Sequence, residues 1–247
     1  MTHLTLELTE ECKLNKICFV GVRFSATIAT LLSTGPVMSS SMPANNEPQF
    51  DAIITAFYQQ GWVWLPDFLP AELNSALLHE VQHQSLLTAA GIGRQGEHKL
   101  DTQIRRDVTQ WFDGRSVAQQ HYLALMAQLQ QQLNRRCFLG LFDFECHFAR
   151  YQHGDYYQKH IDAFRGRSNR VLTTVSYLNT VTAGGELALF DEHDKLINRF
   201  SPTSGSLLLF ESERFPHEVL PAEDTRYSIA GWFRQNASIN GKLDPAQ

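Results

Sequence analysis

Beyond residue 137 the apolar residues change their spacing, from recurrence every three or four positions to alternation within short runs broken by turn residues. The first period belongs to a helix with one buried face and the second to a half-buried strand, so the C-terminal half of the chain reads as sheet. The predicted strands are Phe142–Tyr151, Tyr156–His160, Arg170–Asn179, Glu186–Phe190, Ser206–Phe210, His217–Leu220 and Arg226–Arg234. Gly154-Asp155, Ala183-Gly184-Gly185 and Pro202-Thr203-Ser204-Gly205 are the breaks between them. Parallel strands need long crossover connections, usually helical, and none are available here, so the strands must pair antiparallel. Their number fits a double-sheet jelly roll, a double-stranded β-helix.

Residues 50–135 read as mainly helical. Phe50 to Gln60 is amphipathic and stops at Gly61, and Pro70 opens a second helix carrying Leu73, Leu77 and Val81. Ser116 followed three positions later by Gln119 is a capping-box signature. Tyr122, Met126, Leu129 and Leu133 then recur on one face and are assigned to the core. The expected fold is therefore mainly β with flanking N-terminal helices, a cupin-like domain over residues 48–240 with helical support at 50–135 and the jelly-roll core at 137–235.

Residues 1–47 read as a leader outside that domain. Its apolar runs, 16–22 and 26–32, are separated by Arg23 and preceded by Glu7, Glu10 and Glu11, too broken for a membrane span and too acidic for an export signal. Met38 and Met42 precede a Pro/Asn-rich stretch, so the expectation is a poorly ordered segment or one read from an upstream start. The 247 residues carry a net charge of −5, without the positive field that a phosphate backbone selects for, so nucleic acid is not an expected partner. Cys12, Cys18, Cys137 and Cys146 form no CxxC pair, which implies reduced thiols and a cytoplasmic location with no membrane association.

The chemistry concentrates in a few residues. His160 and Asp162 stand two apart, and on a strand residues so spaced share a face. His217, far along the chain and just after Pro216, supplies a third ligand type. Two histidines and one carboxylate on one side of a metal, with the other side open, are what a non-heme Fe(II) oxygenase requires. Arg226 opens the last strand near Ile229 and Trp232, and a guanidinium facing inward there needs an anion; its planar fork matches a carboxylate of a small diacid.

With this order of residues and the strand pattern around them, the chain resembles the 2-oxoglutarate/Fe(II)-dependent dioxygenases. Leu178-Asn179, Gly184-Gly185 with Leu187, Pro216-His217-Glu218-Val219 and Thr225-Arg226-Tyr227 are similar to the prolyl-4-hydroxylase branch, in particular its bacterial and HIF-type members. Ile104-Arg105-Arg106-Asp107 through Trp111 is similar to that subgroup's I-R-G-D-x-x-x-W segment, with Arg106 standing where the subgroup has glycine. The resemblance covers about residues 50 to 235.

The resemblance implies that His160, Asp162 and His217 hold Fe(II), and that Arg226 and Tyr177 hold the distal carboxylate of the co-substrate 2-oxoglutarate. Tyr151 matches the tyrosine reaching the co-substrate from the other wall; as a residue it reads equally well as an aromatic plug at a barrel end. Trp232 is expected to wall the pocket, Ser228 shares a strand face with Arg226, and Arg170 and Asp107 match substrate-side positions. The implied reaction consumes O2, converts 2-oxoglutarate to succinate and carbon dioxide, and hydroxylates a proline of a protein or peptide substrate, with ascorbate as supporting reductant. A hydroxylase of free or siderophore-linked amino acids is the second reading, and a non-catalytic metabolite-sensing module the third. A nucleic-acid demethylase is disfavoured, because that family carries a second arginine where this chain has Trp232.

Overall fold

The computed structural model describes residues 47–83, 87–90, 103–163, 168–236, 238–239 and 242–243, and the expected leader lies outside them apart from Glu47. Three helices come first: α1 (Glu47–Gln60), α2 (Ala71–His83) and α3 (Val117–Cys137). Interleaved with them and following them are β1 (Trp62–Leu65), β2 (Thr88–Ala89), β3 (Val108–Trp111), β4 (Asp143–Tyr151), β5 (Tyr157–His160) and β6 (Arg170–Tyr177). Then come β7 (Leu187–Phe190), β8 (Leu196–Phe200), β9 (Leu207–Glu211), β10 (His217–Val219) and β11 (Arg226–Arg234).

The strands form a seven-stranded sheet in the order β1-β9-β6-β11-β4-β3-β2 and a four-stranded sheet in the order β5-β10-β7-β8, with antiparallel neighbours. Val175, Tyr177, Leu208 and Phe210 of the large sheet pack against Leu187, Leu189 and Phe200 of the small one, so the two sheets share an inner core. The fold is the mainly β jelly roll with flanking helices that the strand pattern implies.

The helices cover the outer face of the large sheet. Tyr122, Met126, Leu129 and Leu133 are completely buried there with Phe148, Ile229 and Phe233. The α3 N-cap is Ser116, whose Oγ accepts the Gln119 amide at 3.0 Å. The other half of the expected capping box does not form. Gln119 Oε1 instead accepts the amides of Asp113 and Gly114, and its Nε2 donates to Glu80 on α2, which also accepts from Ser116 Oγ. The cap thereby ties two helices together.

Two expectations need correction. Residues 50–135 hold β1, β2 and β3 as well as helices; each is four residues or fewer and therefore too short to show a period against its helical surroundings. β8 is also new: its exposure pattern is mostly open, as befits the outermost strand of the small sheet, so it lacks the alternation that marks a half-buried strand.

Candidate active site

β5 and β10 are neighbours in the small sheet, and His160 is paired directly with His217. Asp162 is not on a strand. β5 ends at His160 and Asp162 sits in a bend beyond it, so the same-face argument for the two residues does not hold. The bend itself carries the carboxylate back to the histidines. Asp162 Oδ1 lies 3.6 Å from His160 Nε2 and Oδ2 3.5 Å from His217 Nε2, and one ligand atom of each residue lies within 4.8 Å of the others.

The histidine tautomers follow from their partners. Nδ1 of His160 faces the Gln158 carbonyl at 2.8 Å and Nδ1 of His217 the Phe215 carbonyl at 3.1 Å. A carbonyl only accepts, so each Nδ1 carries the proton and each Nε2 keeps its lone pair toward the common centre. Burial, with His160 alongside, pulls the His217 imidazole down to about 4, which keeps it neutral and able to ligate. Burial alone would raise the Asp162 carboxyl, but His217 and His160 outweigh it and hold the group well below the ordinary carboxylate range. Thr173 on β6 donates to Asp162 Oδ2 at 2.7 Å and is itself in contact with Ser212 Oγ at 2.9 Å.

The second half of the site lies on the large sheet. β11 runs between β6 and β4, with Arg226 paired to Tyr151 and Ser228 to Tyr177. The Arg226 side chain is 2% exposed and lies between two aromatic faces, 4.7 Å from the Tyr151 ring centre and 4.9 Å from that of Tyr177. Ile229, expected beside it, turns instead to the helical core. Arg226 Nε and Nη1 and the Tyr177 hydroxyl are buried without a hydrogen-bond partner. Burial pushes both tyrosines up, so both hydroxyls stay protonated as donors. The Gly184-Gly185 turn backs this end: a Cβ on Gly184 would come 2.4 Å from the Pro221 carbonyl, and one on Gly185 would come 3.3 Å from Arg226 Cδ.

Farther along β11, paired with Thr173 and Glu145, Trp232 is buried with its indole N–H unpartnered, and the Arg170 guanidinium lies 3.6 Å over its ring. Arg170 is held by Glu145 at 2.7 Å. Ser228 is buried on the Arg226 face. Asp107 is 1% exposed and takes both arms of Arg105, at 2.8 and 2.6 Å. Arg106 needs no glycine-like backbone; its amide donates to Tyr156, and its φ is not among the positive values of the described residues. Sequence reasoning did not single out Thr173, Ser212, Glu145 or His147. The last is buried against Trp111 and Trp232, and burial followed by Arg105 pulls it down to about 4.

The donor set fits Fe(II): two imidazoles and one carboxylate are ligands that leave coordination positions open. The orphaned donors of Arg226 and Tyr177 fit a carboxylate. Comparison with known proteins agrees with that chemistry. Residues 146–234 match the model of the 2OG-Fe(II) oxygenase superfamily. A prolyl-4-hydroxylase structure from Pseudomonas putida is 38% identical with a TM-score of 0.69, over 76% of this chain and 99% of that one. The chain belongs to the 2OG-Fe(II) oxygenase superfamily.

Within it, similar proteins include prolyl hydroxylases. The Trichoplax adhaerens prolyl hydroxylase, solved with a peptide fragment of the hypoxia inducible factor oxygen degradation domain, is 26% identical with a TM-score of 0.67, over 77% of this chain and 90% of that one. Egl nine homolog 1 of Rattus norvegicus is 29% identical over 195 residues, 73% of this chain; the match spans 57% of that protein's length.

Proposed function

We propose that the protein is a 2-oxoglutarate- and O2-dependent dioxygenase that hydroxylates a proline in a peptide or protein substrate. One observation carries this reading: a buried arginine fork and tyrosine hydroxyl without partners lie in the same jelly roll as three convergent metal ligands. His160, Asp162 and His217 would hold Fe(II), and Arg226 with Tyr177 would hold the distal carboxylate of 2-oxoglutarate, with Tyr151 closing the other wall. Bound iron supplies the oxidative chemistry that side chains lack. The chain's own part is to fix the co-substrate by one end, exclude water with Trp232, Tyr151 and Tyr177, and keep the His217 imidazole neutral. The peptide substrate is supported by the similarity to prolyl hydroxylases, one of them solved with a peptide. Ascorbate as reductant and a cytoplasmic location belong to the same proposal.

The test has two stages. Purified protein with Fe(II), 2-oxoglutarate and ascorbate should form succinate; no succinate would leave a non-catalytic binding module. Incubation with a lysate should then add one oxygen to proline in defined tryptic peptides. Turnover with free amino acids and no modified peptide would shift the reading to a small-molecule hydroxylase.

A further inference from the structure

Each of the three metal-binding side chains needs something to hold its orientation. Asp162 has Thr173 and Ser212 behind it. His217 is enclosed, with the edge of Phe210 against its ring at 4.8 Å. His160 is different, because β5 ends at it and two of the strand's four residues are exposed. The Gln158 carbonyl, accepting from Nδ1, fixes the tautomer and one edge of the ring, and leaves the ring face to be supported from elsewhere.

Support for the ring face comes from a stack. The Tyr157 ring lies parallel to the His160 imidazole, 3.7 Å between centres and 16° between planes. Residues 157 and 160 would point to opposite faces of a regular strand. They share a face because the pairing with β10 shifts by one residue between His217 and Val219, a bulge that re-aims one of them. The Arg105 guanidinium sits 4.4 Å over the same Tyr157 ring, and with the imidazole stacked on one face it takes the other. Arg105 is in turn held in place by the two arms it gives to the buried Asp107, and its backbone is bridged to Tyr157.

We propose that Arg105, clamped by Asp107, is a positioning residue for the metal ligand His160, acting through the ring of Tyr157. The proposal rests on the reading of His160, Asp162 and His217 as the iron site. Groups that orient a metal ligand typically contribute 10–100-fold to affinity. A guanidinium fork is rigid and planar, so lysine should replace Arg105 only in part.

The experiment titrates the metal-free full chain with Fe(II) under anaerobic conditions and with Co(II), whose absorption reports ligand geometry. Arg105→Leu and Asp107→Asn are expected to bind both metals about 10–100-fold more weakly, with altered Co(II) bands, and Arg105→Lys to fall between them and the unsubstituted protein. Tyr157→Phe, which keeps the ring, should lose less affinity than Tyr157→Leu. Thermal midpoints of the metal-free variants check folding, and Arg105→Lys is the second variant should Arg105→Leu fail to fold. Unchanged metal affinity and Co(II) spectrum with a raised KM for peptide would overturn the proposal and make Arg105 a substrate contact. Failure of the unsubstituted protein to bind either metal would instead overturn the iron site itself.

Discussion

Replacing Arg226 by methionine separates binding of the co-substrate from integrity of the fold. The guanidinium is buried, its Nε and Nη1 have no protein partner, and methionine can occupy the slot between Tyr151 and Tyr177 without a charge. Removing one side of a buried charged hydrogen-bond pair costs about 2–5 kcal/mol, or about 30- to 4,000-fold in affinity. The apparent KM for 2-oxoglutarate should rise by that factor. A second readout needs no turnover. With Mn(II) in place of iron, 2-oxoglutarate at one hundred times its Kd should stabilise the unsubstituted protein by about 2.7 kcal/mol, a rise of roughly 5–11 °C in midpoint for a domain of this size. In the variant the same concentration should give about 0.9 kcal/mol or less, a shift of no more than about 2–4 °C. Tyr177→Phe loses one hydroxyl donor to a charged group, about 1.5–3 kcal/mol, and should raise KM by about 10- to 140-fold. An Arg226→Met protein with unchanged KM and an intact 2-oxoglutarate shift would refute the assignment of this pocket.

The remaining predictions concern the metal, the turn behind Arg226 and pH. Asp162→Ala should abolish metal binding in calorimetric titration while the circular dichroism of the metal-free protein stays unchanged, because Thr173 keeps Ser212 as a partner. Gly184→Ala places a Cβ 2.4 Å from the Pro221 carbonyl at φ +73°, whereas Gly140→Ala meets nothing within 4 Å at φ +63°. The first should cost about 1–3 kcal/mol beyond the second in urea unfolding, and equal losses would count against the close approach. His147 and His217 both sit at about 4 in the folded protein, below the ordinary histidine value. The unfolded chain therefore binds up to two more protons between about pH 4 and 6.5, and the stability of metal-free protein should fall as pH drops through that window by up to about 2.7 kcal/mol per unit. His147→Met should halve the slope near pH 5, and a slope of unaltered size would assign the protons elsewhere.

The fold was legible where an element is long or has one wet and one dry face. α3 shows its buried stripe over Tyr122, Met126, Leu129 and Leu133, and the strand beginning at Arg226 keeps its period to Arg234, with Ile229 and Phe233 in the helical core and Arg226, Ser228 and Trp232 facing inward. β1 was not legible because Trp62, Val63, Trp64 and Leu65 are apolar on both faces; the tryptophans meet Phe200 of the other sheet while Val63 joins the helical core. A strand apolar on both faces has no alternation to read. β8 was hidden for the opposite reason, since little of it is buried at all.

The site was legible as a set of residue types and not as a geometry. His160, Asp162 and His217 were found from ligand chemistry, yet the strand argument that joined the first two misses how they meet, because Asp162 comes off the strand and is returned by a bend held to Thr173. The stack behind His160 depends on a bulge, where the period of two that reveals a strand is broken. Residues that brace the site, such as Thr173, Ser212 and Glu145, occupy ordinary strand or turn positions and acquire their roles from partners distant in sequence. Alternation identifies the scaffold because it is a property of each strand alone. Convergence on a metal requires side chains from different strands to leave their regular directions, so the features that build the centre are departures from the pattern by which the sheet is recognised.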